Sequence, residues 1–172
     1  KEAEHLDVVM DLAQTYGKML HVHVDQLNDP AEKETELLAR KTIEWGMEGK
    51  VVAVHSISLA AHRKKYRNEV YKICKDAGLM FISCPTAWID HPRNEKLTPF
   101  HNAITPVDEL LQEGLTVSIG SDNIHDIYKP FSNGDMYIEL RFLLEACKIY
   151  DTKTLKKIAV DNGLLTSGII TK

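Results

Sequence analysis

The stretch Met19-Leu20-His21-Val22-His23-Val24-Asp25-Gln26 decides the reading of this chain, because a short apolar run ends there in groups that can bind a metal or move a proton. Two further runs end the same way, Val51-Val52-Ala53-Val54-His55-Ser56 and Leu115-Thr116-Val117-Ser118-Ile119-Gly120-Ser121-Asp122. Short apolar runs bounded by turn signals read as buried strands. Polar residues at the C-terminal ends of successive parallel strands are where a βα barrel builds its chemistry, because its βα loops surround that end. Two imidazoles, His23 and His55, and the carboxylate Asp122 in such places point to a metal-dependent hydrolase.

Outward from these runs, segments of helical period alternate with short apolar ones, the pattern of an α/β protein with a parallel sheet. Strands are expected at Lys18 to Val24, Val51 to His55, Leu79 to Cys84 and Leu115 to Gly120. Helices are expected at Glu2 to Tyr16, from Pro30 to near Gly46, at Ala60 to Ala77 and at Pro106 to Glu113. Two more are expected from about Asp135 to Tyr150 and at Thr152 to Asn162. Pro30 suits a first helical position, with Glu32, Glu34 and Glu36 near the positive end of the helix dipole. Strand starts near 18, 51, 79 and 115 are 33, 28 and 36 residues apart. About 31 is expected when roughly 250 residues are shared by eight units. The chain has 172 residues and begins at Lys1 within a helical pattern. The expected fold is therefore four βα units, the C-terminal half of a TIM-like (β/α)8 barrel, in one partial domain over residues 1–172.

Composition bounds the function. With 44% hydrophobic and 27% charged residues the chain is ordinary globular material. A net charge of −4 and a pI near 6.1, with scattered cations, argue against nucleic acid, which calls for a concentrated basic face. The run Arg63-Lys64-Lys65 reads as a solvated helix start. Cys74, Cys84 and Cys147 lie far apart with no C-x-x-C pairing, which argues against a zinc ribbon or a disulfide framework and fits a reducing cytoplasm. No apolar stretch approaches the roughly 20 residues of a membrane span.

Side chains alternate along a strand, so His21, His23 and Asp25 share one side if the first strand stays regular. His21 and His23 then offer two imidazoles to one metal, or His21 fills the barrel interior with a hydrogen bond. His55 is read as a barrel-facing group at the rim. Asp122 is read as a cation ligand that also accepts a proton, or as the cap of a loop turn.

The order H-V-D-Q (23–26), H-S (55–56), C-P (84–85) and G-S-D-N (120–123) resembles the amidohydrolase superfamily, and most its cytosine-deaminase-like branch, over nearly the whole chain. In that family the fifth strand supplies a metal-binding histidine. The sixth supplies a histidine that polarises substrate and attacking water, and the eighth a metal-binding aspartate that is also the general base. The resemblance thus implies His23 and Asp122 as metal ligands, with His55 and Asp122 catalytic. The interval from His23 to His55 is one unit, which does not fit His21-Val22-His23 as the family's first-strand H-x-H. One divalent ion, zinc or iron, is implied, with the remaining ligands upstream of Lys1.

Two residues depart from the resemblance. Cytosine deaminases carry a proton-shuttling glutamate at the position of Gln26 and an acid at that of Asn123, and an amide cannot carry a proton at neutral pH. Gln26, His55, Asn123 and Trp88 are taken as substrate-binding residues, Trp88 by stacking on a flat ring. The loop Ser121 to Met136, with Asp126, Tyr128, Pro130 and Gly134, resembles the family's substrate-covering loop. The expected activity is hydrolysis of a C–N bond in a small nitrogen-containing molecule, heterocyclic or not, by deamination or amide hydrolysis. The alternatives are a pseudoenzyme marked by Gln26 and Asn123, or a non-catalytic half barrel that pairs through its open strand edges with a partner or a second copy.

Overall fold

A computed structural model describes residues 2–87 and 104–170. Four parallel strands, β1 (Leu20–Val24), β2 (Val51–His55), β3 (Met80–Ser83) and β4 (Thr116–Ile119), lie in chain order in one sheet. In-register pairing joins His23 to Val54, Val24 to His55 and Ile82 to Ser118. The helices are α1 (Glu2–Thr15), α2 (Glu34–Glu44), α3 (Lys64–Asp76), α4 (Val107–Gln112), α5 (Met136–Cys147), α6 (Thr152–Lys156) and α7 (Asn162–Thr166).

The main helical core lies on one face, where Met10, Leu38, Tyr71, Leu110, Leu143 and Ile158 meet Val51, Ala53, Phe81 and Val117 of the strands, while Thr166 of α7 meets Ser118, which alternates to the other face (Oγ1 to Oγ 2.9 Å). Alternation sends Val54 and Ile82 to the opposite face, where they pack with Cys84 and Ala87. In β1, His21 and His23 are exposed on that second face while Leu20 and Val22 pack on the helical core. The β3 unit is tightened at Gly78, whose φ is +56° and where a Cβ would lie 2.9 Å from the Gly49 amide nitrogen. That position admits glycine for both reasons.

Several expected boundaries move. Helix α2 starts at Glu34 rather than Pro30, because Pro30 is the second residue of a turn closed by Glu32 N–H on the Asp29 carbonyl (3.2 Å), a position that suits its fixed φ. The helix start is instead set by Asp25. This buried carboxylate accepts from the amides of Glu34 (2.7 Å) and Thr35 (3.0 Å), while Glu34 Oε2 accepts from the Asp25 amide (2.7 Å). It is a reciprocal capping box split across nine residues. Asp25 therefore does not share a side with His21 and His23: β1 ends at Val24 and Asp25 turns to φ +50°. The expected helix from Ala60 is a 3-10 turn over Ile57–Ala61, then α3 from Lys64, with Arg63, Lys64 and Lys65 solvent-exposed as read. The last helix continues past Asn162 to Thr166 through a π turn at Lys157–Asp161. That turn lets Asn162 Nδ2 donate to the Val117 carbonyl (2.7 Å) at the edge of β4. The other edge, at β1, borders an open groove of about 330 Å³ where apolar residues such as Leu6, Leu20 and Leu37 meet His5, His21, His23 and Glu34. Among the described residues no helix is long and apolar enough to cross a membrane.

Replacing Asp25 by alanine should cost about 1–2 kcal/mol of folding free energy, the usual weight of a lost N-cap, and asparagine, with one acceptor oxygen, should cost less. Urea unfolding checks this, and an unchanged midpoint for Asp25→Ala would show that the split box carries no weight.

Candidate active site

Three strand ends converge. One ligand atom each from His23, His55 and Asp122 lies within 4.8 Å of the others. His23 Nδ1 is 3.0 Å from His55 Nε2, and the two rings meet edge to face at 4.9 Å and 65°. His23 and Asp122 are exposed toward the open side of the sheet, whereas His55 is 1% exposed. Burial is the main cause that drives the His55 pKa down to about 4; the nearby Asp122 charge opposes this and His23 adds to it. His55 is therefore a neutral imidazole at pH 7, able to donate through one ring nitrogen and accept through the other.

The convergence depends on a reversal in the backbone. His55 pairs with Val24, and both neighbours in its alternation, Val51 and Ala53, face the helices. A regular strand would aim His55 there too. Instead His55 takes φ +77° and Ser56 φ +51°, and Asp122 takes φ +60° beyond β4. Such left-handed residues cost on the order of 1–3 kcal/mol each and persist where their surroundings hold them. Here the Ser56 amide donates to the Val24 carbonyl (3.0 Å), the Ile57 amide to the Asp25 carbonyl (2.8 Å), and Thr35 Oγ1 to Ser56 Oγ (3.0 Å). The split capping box thus also supports the turn that presents His55.

Asp122 is seated on Gly120 and Cys84. A Cβ on Gly120 would meet Ile82 Cγ2 at 3.1 Å and Cys84 Sγ at 3.4 Å, so the missing side chain leaves room for the thiol. Burial, then the charges of Asp122 and Glu139, push the Cys84 pKa up to about 12, which keeps it a neutral thiol beside the Asp122 backbone amide. The following loop is fastened internally. Asp126 accepts from the amides of Tyr128 (2.9 Å) and Lys129 (2.8 Å) and from the side-chain amide of Asn123. These donors, the Lys129 amide foremost, hold the Asp126 carboxyl below its usual range. Lys129 Nζ reaches the Thr86 carbonyl (3.1 Å), and the buried Glu139 carboxylate takes the Thr86 hydroxyl (2.6 Å) and amide (3.1 Å).

Of the expected site residues, the structure brings together His23, His55 and Asp122. His21 lies on the same face as His23 but outside the cluster. Gln26 follows Asp25 at the end of β1, half-buried, with no side-chain hydrogen bond among the described residues. Asn123 is tied into its own loop through Asp126. Trp88, with His91, Pro92, Pro99 and His101, lies outside the described residues. Sequence reading missed Thr86, Lys129 and Glu139, which join the loops after β3 and β4 to α5. Their contacts span 43 and 53 residues, and a buried glutamate in a first helical turn looks the same in sequence as an exposed one.

Because His55 is held neutral when folded and has an ordinary pKa when unfolded, the unfolded chain binds more protons between about pH 6.5 and 4, and stability falls as pH drops through that window. Urea unfolding of the metal-free chain should give a lower free energy at pH 5 than at pH 7, and His55→Gln should flatten this difference. An equal slope in both proteins would contradict it.

Comparison with known proteins places these features. The family described as Amidohydrolase family matches residues 1–142. A protein of Haemophilus influenzae described as uncharacterized is 54% identical over 110 residues, covering 64% of this chain and 40% of that one. N-isopropylammelide isopropyl amidohydrolase of Pseudomonas sp. strain ADP is 31% identical over 131 residues, 76% of this chain and 29% of that protein. The crystal structure of 5-methylcytosine deaminase from Klebsiella pneumoniae with 5-fluorocytosine superposes with a TM-score of 0.88 at 28% identity, covering 97% of this chain and 41% of that one. The chain thus spans less than half the length of each of these relatives, and its four parallel units match a portion of the TIM-like barrel. By this match over most of its length, the chain belongs to the amidohydrolase family.

Proposed function

We propose that the protein carrying this chain is a divalent-metal-dependent hydrolase that cleaves a C–N bond in a small nitrogen heterocycle, by deamination or by release of an amine. The observation that carries this reading is the meeting of His23, His55 and Asp122 within 4.8 Å at the ends of β1, β2 and β4. The kinship to a 5-methylcytosine deaminase and an N-isopropylammelide amidohydrolase supports the choice of a flat ring with an exocyclic nitrogen.

The donor set fits a divalent cation: imidazole with carboxylate suits zinc or iron(II), and the three ligand atoms are close enough to share one ion. His23 and Asp122 would hold it, with the remaining ligands from other units of the barrel. When bound, such an ion supplies Lewis acidity that makes water acidic near neutral pH. Asp122 takes the proton of the attacking water as its oxygen bonds to the ring carbon. The same carboxyl then returns the proton to the departing nitrogen as the C–N bond breaks. His55, neutral and buried, hydrogen-bonds the water and the polarising substrate heteroatom. Gln26 and Asn123 are amides and transfer no proton, so both proton steps fall to Asp122. Gln26 is left to hydrogen-bond a ring edge, while Asn123 also steadies the covering loop through Asp126. In this reading the chain supplies the last four of eight barrel units, and the others pair with the open edge of β1.

In the protein at its natural full length, metal analysis should find one bound divalent ion, lost in His23→Ala. Ammonia or amine release from aminopyrimidines, aminopterins and aminotriazines should fall by about 10²–10⁴-fold in Asp122→Asn, the usual weight of a general base. Near-normal turnover by Asp122→Asn would overturn the mechanism.

A further inference from the structure

We infer that Thr105 is a positioning residue whose buried hydroxyl holds His55 in the left-handed backbone that aims its imidazole at His23 and Asp122. The inference rests on the functional reading above for its consequence in catalysis, and on geometry alone for the positioning itself.

Strand alternation is set against the observed direction of His55. Val51 and Ala53 face the helical core, and Val24, the in-register partner of His55, faces it too. With a regular extended backbone the His55 ring would enter that core, away from His23. The left-handed φ of +77° turns it to the opposite side, and this conformation is uncommon for a residue other than glycine. Something must hold it.

The Thr105 hydroxyl donates to the His55 carbonyl, and Thr105 is 1% exposed. Thr105 is itself fastened, since its carbonyl accepts from the Val107 amide at 2.7 Å, next to the start of α4, and from the Cys147 thiol at 3.8 Å, at the end of α5. The hydroxyl is therefore a fixed point, supplied by the segment leading into α4 and braced by α5, against which the peptide after His55 is oriented. Ser56, Thr35 and the Asp25 carbonyl hold the backbone beyond His55. Thr105 acts on the His55 carbonyl itself. Nothing in core packing requires a hydroxyl here, because valine fills the same volume. The donor is the feature that the geometry uses.

The test compares Thr105→Val, which keeps shape and loses the donor, with Thr105→Ser, which keeps the donor. The natural full-length protein is labelled with ¹⁵N-histidine, and its imidazole cross-peaks are followed with and without added zinc. In Thr105→Val the His55 cross-peaks should move, while those of His62, whose Nε2 lies 2.7 Å from the Glu32 carbonyl, stay in place and report an intact fold. Thr105→Ser should restore the His55 positions. In turnover of an aminated heterocycle, Thr105→Val should lower kcat by about 10- to 100-fold, the scale of a small misplacement of a reacting group, with KM little changed, and serine should recover most of it. If valine disturbs the His62 peaks, Thr105→Ala makes the same comparison without a branched side chain. Unmoved His55 peaks in the donor-less variant, or equal movement with serine, would overturn the inference. A wild-type protein that neither binds zinc nor turns over such rings would instead overturn the functional reading, and the imidazole comparison would still decide the role of Thr105.

Discussion

The site depends on the left-handed backbone at the ends of the strands. A parallel strand delivers side chains alternately to the helices and to the opposite face. In β2 the residue at which the strand stops falls on the helical side of that alternation. Turning His55 to φ +77° sends its ring across the sheet plane, to 3.0 Å from His23. Asp122, at φ +60°, reaches the same point from two strands away. Aspartate tolerates this region better than histidine because its short side chain can hydrogen-bond locally. His55 is held instead by groups from other elements, the Thr105 hydroxyl on its carbonyl and the Val24 and Asp25 carbonyls on the amides that follow it.

That scaffolding is built from polar groups that serve two elements at once. Asp25 closes β1, caps α2 through two amides and, through its carbonyl, anchors the turn after β2. Thr35 lies in the first turn of α2 and also bonds Ser56. The Asp25 carboxylate and the Thr35 and Ser56 hydroxyls are each paired, and each loss would leave a partner unsatisfied as well. With total stability of about 5–15 kcal/mol for a typical domain, a few residues costing on the order of 1–3 kcal/mol each must be offset by such surrounding bonds. The neutral state of His55 has the same origin, since the burial that fixes the ring also removes it from the water that would solvate its charge.

The parts of this arrangement that are local in sequence were legible there. The clean run Val51 to Val54 ends in His55, Ile119-Gly120-Ser121 leads to Asp122, and all four strands fall within the apolar segments that mark them. His23 was legible as a ligand-type group near the end of an alternating strand. What was hidden depends on distant partners. Pro30 resembles a helix start until the Asp25 carboxylate, across the split box, sets the start at Glu34 instead. Asp25 reads as a third group beside His21 and His23 until its φ is known. The passage through the π turn to Thr166 is made by Asn162 reaching Val117, 45 residues away, which no periodicity records. The bonds among Thr86, Lys129 and Glu139 were unreadable for the same reason.

We propose one metal centre, held by His23 and Asp122 beside the ring of His55. It is tested most directly by anomalous diffraction at the zinc edge from crystals of the natural full-length protein grown with zinc. A single strong peak is expected within bonding distance of His23 and Asp122, with the His55 ring beside it. A peak bound elsewhere, with His23 and Asp122 apart from any ion, would contradict it.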